Sequence, residues 1–117
     1  MPRYKYLLTF VLLSAVLVIN SCVSHDLEET DTCQDISYAS DITPIINTKC
    51  ALSGCHNGSN PDLPNWTILT QLQNRKDDVK RMVVNRIMPK SSSPAGPLTE
   101  DQINTIACWV DQGAPNN

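Results

Sequence analysis

The chain has 117 residues, 12 acidic and 9 basic side chains, and a formal charge of −3. That length holds one domain at most, and with no basic stripe it excludes an electrostatic nucleic-acid binder. Five cysteines are many for so small a chain and point to an oxidising compartment, a metal or a covalent cofactor.

The apolar residues crowd at the start. Arg3 and Lys5 precede a run from Leu7 to Ile19, too short for a membrane span of about 20 residues but right for a secretory signal. The run ends in Ile19-Asn20-Ser21-Cys22. An aliphatic residue three places before a cysteine, with a small residue between, resembles the bacterial lipobox. The resemblance implies a lipoprotein signal peptide over residues 1–21, cleavage before Cys22, and lipid on its thiol and new amino terminus. Membrane attachment in the cell envelope follows, facing the periplasm or the cell surface. Residues 22–35 read as an acidic tether and 36–117 as the domain. The mature chain keeps every acid but loses Arg3 and Lys5, for a charge of −5. Its aromatic residues are Tyr38, Trp66 and Trp109, so its core is thin and needs a staple. His25, in the tether, is assigned no role.

Tyr38, Ile42, Ile45 and Ile46 share one helical face. Ser40 or Asp41 is the expected N-cap, Pro44 falls in the first turn, and the helix runs to Lys49 or Cys50. A turn-rich loop, 57–64, follows. Asn65 is the expected cap of a second helix starting near Trp66, with Ile68, Leu69 and Leu72 inward. A further helical stretch spans 77–87, with Val79, Met82, Val83 and Ile87 apolar and Pro89 as its stop. Residues 91–97 cannot be regular. Thr99 and Gln102 form a capping box ahead of the stripe Ile103, Ile106, Ala107 and Val110, and Gly113 ends that helix. No strand pattern emerges. The fold class is all-α: three to four short helices with long loops.

The chemistry lies in Cys50-Ala51-Leu52-Ser53-Gly54-Cys55-His56. Two cysteines with a histidine directly after the second is the arrangement of c-type haem attachment: two thiols can add to two vinyl groups on one porphyrin edge, and the next imidazole can then reach the iron. Together with Ile42-Thr43-Pro44-Ile45-Ile46, Met88-Pro89, and the run from Leu98 to Ile103 leading into Trp109–Pro115, the pattern resembles small monohaem c-type cytochromes. The resemblance covers roughly residues 38–115. It implies a cytochrome c-like fold around one covalent haem c, bound through Cys50 and Cys55, with His56 and Met88 as axial ligands. The family commonly has two residues between the cysteines and this chain has four, so Ser53-Gly54 has to bulge outward. Met82, the other methionine of the mature chain, reads as core packing. First and last helices cross in such folds, which suggests a Cys33–Cys108 disulfide. Asp77-Asp78 and Lys80-Arg81 read as a solvated helix face.

Thioether ligation raises a haem's reduction potential, and two filled axial positions leave little room for substrate. The expected role is therefore electron transfer to redox partner proteins rather than catalysis, with no catalytic residues. The acidic surface suggests partners with a positive patch. Three rival readings stand beside it: a zinc site built from Cys50, Cys55, His56 and Cys33 or Cys108; a cofactor-free binding lipoprotein with Cys50–Cys55 and Cys33–Cys108 disulfides; and a haem-based peroxidase or sensor.

Overall fold

A computed structural model describes residues 33–117. The expected signal peptide, Cys22, His25 and most of the expected tether lie outside the described residues. Four helices make up the regular structure there, with no strand, so the domain is all-α.

Helix α1 (residues 38–50) is a composite. Its centre, Thr43–Ile45, is α-helical, and wide i→i−5 turns flank it at Tyr38–Ile42 and Ile46–Cys50. Pro44 explains the first widening: it has no N–H to donate and its ring crowds the preceding turn. The amide of Thr43 reaches back to the carbonyl of Tyr38, which also accepts from the Thr43 hydroxyl at 2.9 Å. The N-cap is Ser37, not Ser40 or Asp41: the Ser37 Oγ accepts from the Ser40 amide, while the Asp41 carboxylate accepts from the Ser37 amide at 2.8 Å. Pro44 therefore sits in mid-helix. The free amides at this end also find Asn117, whose side-chain oxygen accepts from Tyr38 N at 2.8 Å and whose carbonyl accepts from Ala39 N at 3.0 Å.

Helix α2 (Leu69–Asn74) starts later than its sequence suggests. Asn65 caps a tight turn instead, accepting from the amide and the hydroxyl of Thr67. Ile68, expected inward, is 43% exposed, while Leu72 is fully buried. Helix α3 (Lys76–Val84) ends before Pro89 can stop it. Arg86 takes a left-handed conformation (φ 55°), Ile87 N bonds to Met82 O at 2.8 Å, and Arg86 N bonds to Val83 O at 3.0 Å. These are the two bonds of a Schellman stop. Ile87 lies beyond the stop and is 49% exposed, contrary to its expected inward place.

Helix α4 (Glu100–Asp111) has the expected capping box from Thr99 and Gln102. It too ends in a Schellman stop: Gly113 (φ 91°) donates to Val110 O, and Ala114 donates to Trp109 O, both at 2.9 Å. Helices α3 and α4 run antiparallel, with Lys80 paired to Asp111 at one end and Arg86 to Glu100 at the other. Such exposed pairs are worth about 0–1 kcal/mol, so apolar burial holds the helices together. Trp109, Ile42, Leu72 and Ile106 form the fully buried centre. The Trp109 indole N–H donates to Pro115 O at 3.0 Å, and its ring lies 5.8 Å from that of Tyr38, so α1 and α4 meet there.

Cys33 is joined to Cys108 of α4 across 75 residues of sequence. Gln112 fastens the same stretch, donating to Gln34 O and accepting from Ile36 N. The described part of the tether is therefore bound to the domain.

Replacing Cys33 and Cys108 together by serine is expected to lower unfolding stability by about 4 kcal/mol, the loop-entropy value for so long a closed loop, measured by urea denaturation with and without reductant. The two Schellman stops predict the same preference for glycine at their left-handed residue. Gly113→Ala is expected to cost about 1 kcal/mol through backbone strain alone, because nothing lies within 4 Å of an added Cβ. Arg86→Gly is expected to be neutral or stabilising by up to about 1 kcal/mol in the same assay.

Candidate functional site

Cys50 is the last residue of α1. The wide turn there ends with Ala51 N bonded to Ile46 O at 2.7 Å, and the chain then leaves the helix axis. The next residues fold into a small loop closed by Cys55 N to Leu52 O and His56 N to Cys50 O. Ser53 and Gly54 are exposed at its tip, while Cys50 and Cys55 are partly buried and face one cavity. Ser53 and Gly54 thus carry the exposed bend, Ala51 packs against the core, and both cysteines line the cavity.

The loop after His56 returns to it twice. Trp66 N donates to His56 O at 2.9 Å, and the imidazole Nδ1 meets Pro64 O, also at 2.9 Å. A carbonyl oxygen only accepts, so Nδ1 carries the proton and, in the neutral ring, Nε2 is left with the lone pair. The Trp66 ring stacks on the imidazole at 4.8 Å between centroids. Gly58 lets this loop close: its φ is 85°, and a Cβ there would meet Asn65 Nδ2 at 2.6 Å, with the Asn65 side chain already fixed by Thr67.

Met88 comes from a separate stretch of chain, just after α3. The Schellman stop of α3 reverses the chain, and Met88 N donates to Met82 O at 3.2 Å. Met88 lines the same cavity as Cys50, Cys55 and His56. The cavity measures about 380 Å³ and its walls are mostly apolar, within the roughly 300–1,000 Å³ of small-molecule and cofactor sites. Met82 also lines it, so this side chain borders the site instead of filling the core.

The thiols of Cys50 and Cys55 are free. Burial pushes the Cys50 thiol up from 9.0 to about 11, and the neighbouring Cys55 thiol adds to the rise. Among the described residues, no group of three or more His, Cys, Asp or Glu side chains converges to hold a metal ion, and Cys33 and Cys108 are spent on their disulfide. Neither a zinc site nor a Cys50–Cys55 disulfide is formed by these residues.

Sequence reasoning missed the charged part of the wall. Lys49, Arg75, Arg81 and Lys90 line the cavity against one carboxylate, Asp78, which pairs with Arg81 at 3.0 Å. Asp78 and Arg81 are therefore not simply a solvated face. The signal was available: residues 75, 78, 79 and 82 follow i, i+3, i+4, i+7 spacing, so Arg75 and Asp78 share a helix face with Val79 and Met82. The cavity mouth is positive although the chain is acidic, and net charge alone misjudges what would meet it.

No family model, curated protein or solved structure matches the chain. Its site must be read from its own chemistry.

The raised Cys50 pKa has a consequence for protein with free thiols. The folded chain keeps the Cys50 proton to higher pH than the unfolded chain. The resulting stability is fully present below pH 9 and is lost as pH rises from 9 towards about 11. Urea midpoints measured across that range are expected to fall in the parent protein and to fall less in Cys50→Ala.

Proposed function

We propose that this protein is a lipid-anchored electron carrier of the cell envelope, with one haem c attached covalently to Cys50 and Cys55. The observation that carries this reading is the meeting of two free thiols, an imidazole with an available Nε2, and a methionine on one apolar cavity.

The residues present fit that group. Each thiol would add its S–H across a vinyl C=C to give a thioether, with no net oxidation or reduction. His56 Nε2 and Met88 Sδ would be the iron ligands, and the cations at the mouth suit carboxylate side groups. When bound, haem supplies an iron that takes up and gives up one electron. The rest of the work belongs to the chain. Pro64 O holds the His56 proton on Nδ1 and fixes the ring, so the ligand nitrogen need not reorient when the charge changes. As a ligand, the Met88 thioether would favour the reduced state, and the apolar walls would disfavour the more highly charged oxidised state. Two ligand positions filled by protein favour electron transfer to a partner protein over catalysis. Anchoring through lipid on Cys22 completes the reading and rests on the sequence alone.

A second reading, peroxidase or sensor, keeps the haem but needs the Met88 position open. Met82 on the same wall gives a further ligand choice that the test must separate.

The protein is matured in a bacterial host with haem-attachment machinery. Its denatured mass is expected to include one haem, and its oxidised spectrum to carry the weak far-red band of a methionine–iron bond. Met88→Ala is expected to remove that band, lower the reduction potential and leave the covalent haem in place, while Met82→Ala keeps the band. Cys50→Ala with Cys55→Ala is expected to abolish covalent attachment. A mature protein without the added mass refutes the proposal. A band lost in Met82→Ala but not in Met88→Ala reassigns the ligand.

A further inference from the structure

The segment after Met88 forms one wall of the cavity, with Pro89, Lys90, Ser92, Ser93 and Pro94 lining it. It contains no helix or strand. Its internal hydrogen bonds are short-range: Ser93 N to Lys90 O at 2.8 Å, Gly96 N to Ser93 O at 3.0 Å, and Ala95 N to Ser93 Oγ at 3.4 Å. Among the described residues, the hydrogen bonds that tie residues 89–97 to the rest of the fold come from one side chain. Lys49 Nζ donates to Ala95 O at 2.6 Å and to Pro97 O at 3.2 Å.

Lys49 stands directly before Cys50, at the end of α1, and its own side chain borders the cavity. It has no carboxylate partner among the described residues. An ammonium has three donors and no acceptor, so it can bridge two carbonyls at once, and charge strengthens each bond. Two carbonyls two residues apart fix a position as well as a distance. The link joins the thiol side of the cavity to its methionine side.

We propose that Lys49 is a positioning residue that latches the 89–97 segment to α1, so keeping Met88 turned into the cavity and closing the iron to small external ligands. The proposal rests on the haem reading for its consequence at the iron but not for the latch itself. Lysine's length, charge and multiple donors all contribute. Methionine at 49 would keep much of the reach and lose every hydrogen bond, whereas arginine would keep the charge and donors.

The test compares the parent protein with Lys49→Met, Lys49→Gln and Lys49→Arg, each as purified from the envelope fraction. Three quantities are measured: covalent haem mass, the methionine–iron band with imidazole titration of the oxidised protein, and hydrogen exchange of the amides between residues 91 and 96. Lys49→Met and Lys49→Gln are expected to keep the haem, lose most of the band, and bind imidazole about tenfold more tightly or better, the scale of one lost charged hydrogen bond. Exchange across the segment is expected to rise by a similar factor, and Lys49→Arg is expected to restore all three. Unchanged exchange in both Lys49→Met and Lys49→Gln overturns the latch whether or not haem is present. Faster exchange with an unchanged band and imidazole affinity overturns its role at Met88. Absence of haem mass in every sample, parent included, instead removes the electron-carrier reading, and exchange alone then decides the latch.

Discussion

The imidazole of His56 has one nitrogen committed to the carbonyl of Pro64, and the chemistry of the site depends on that commitment. Without it the ring could turn or exchange tautomers, and Nε2 would have no defined direction. Its partner is a backbone atom in a loop that closes on itself through Trp66 N and His56 O. The indole of Trp66, nearly buried, lies against the ring. A polar contact, a stacking contact and a glycine that permits the close approach therefore act on the same few atoms. The wide turn before Cys50 and the bulged loop after it bring the thiols to the same place.

The domain accommodates this site despite a small core. Its fully buried large side chains are Trp109, Ile42, Leu72 and Ile106, and the apolar walls of the cavity include Ile46, Val79 and Val83, which also belong to that core. Core and cavity share walls, so a group that filled the cavity would add contacts to side chains the fold already uses. Binding to the folded chain alone would shift the unfolding equilibrium in proportion to its affinity. The disulfide acts independently, from the unfolded side of the balance.

Much of the architecture was legible in the sequence because local signals agreed with burial. The capping box of α4, its Gly113 stop and the apolar faces of α1 and α4 all appear where their patterns put them. Errors arose where a proline or an asparagine had two possible readings. Pro44 suggested a first turn, yet Ser37 captures the free amides earlier and the helix widens around the ring. Asn65 satisfied a tight turn rather than a helix start. Pro89 suggested a stop, but Arg86 had already reversed the chain. Of the site, the spacing of Cys50, Cys55 and His56 and the lone loop methionine were readable. Pro64 and Lys49 were not, because each acts through a bond between a side chain and a backbone carbonyl that only the folded chain brings together; the charged face of α3 was signalled by its helical spacing.

The bond between Cys33 and Cys108 also fixes how the molecule would carry load. A pull applied on the entering side of Cys33 and resisted beyond Cys108 would run through the sulfurs and leave the enclosed 74 residues slack. Helix α1, both thiols at the cavity and the methionine loop all lie inside that covalent shortcut. Tension on a tether could thus reorient the domain without stretching the geometry around His56.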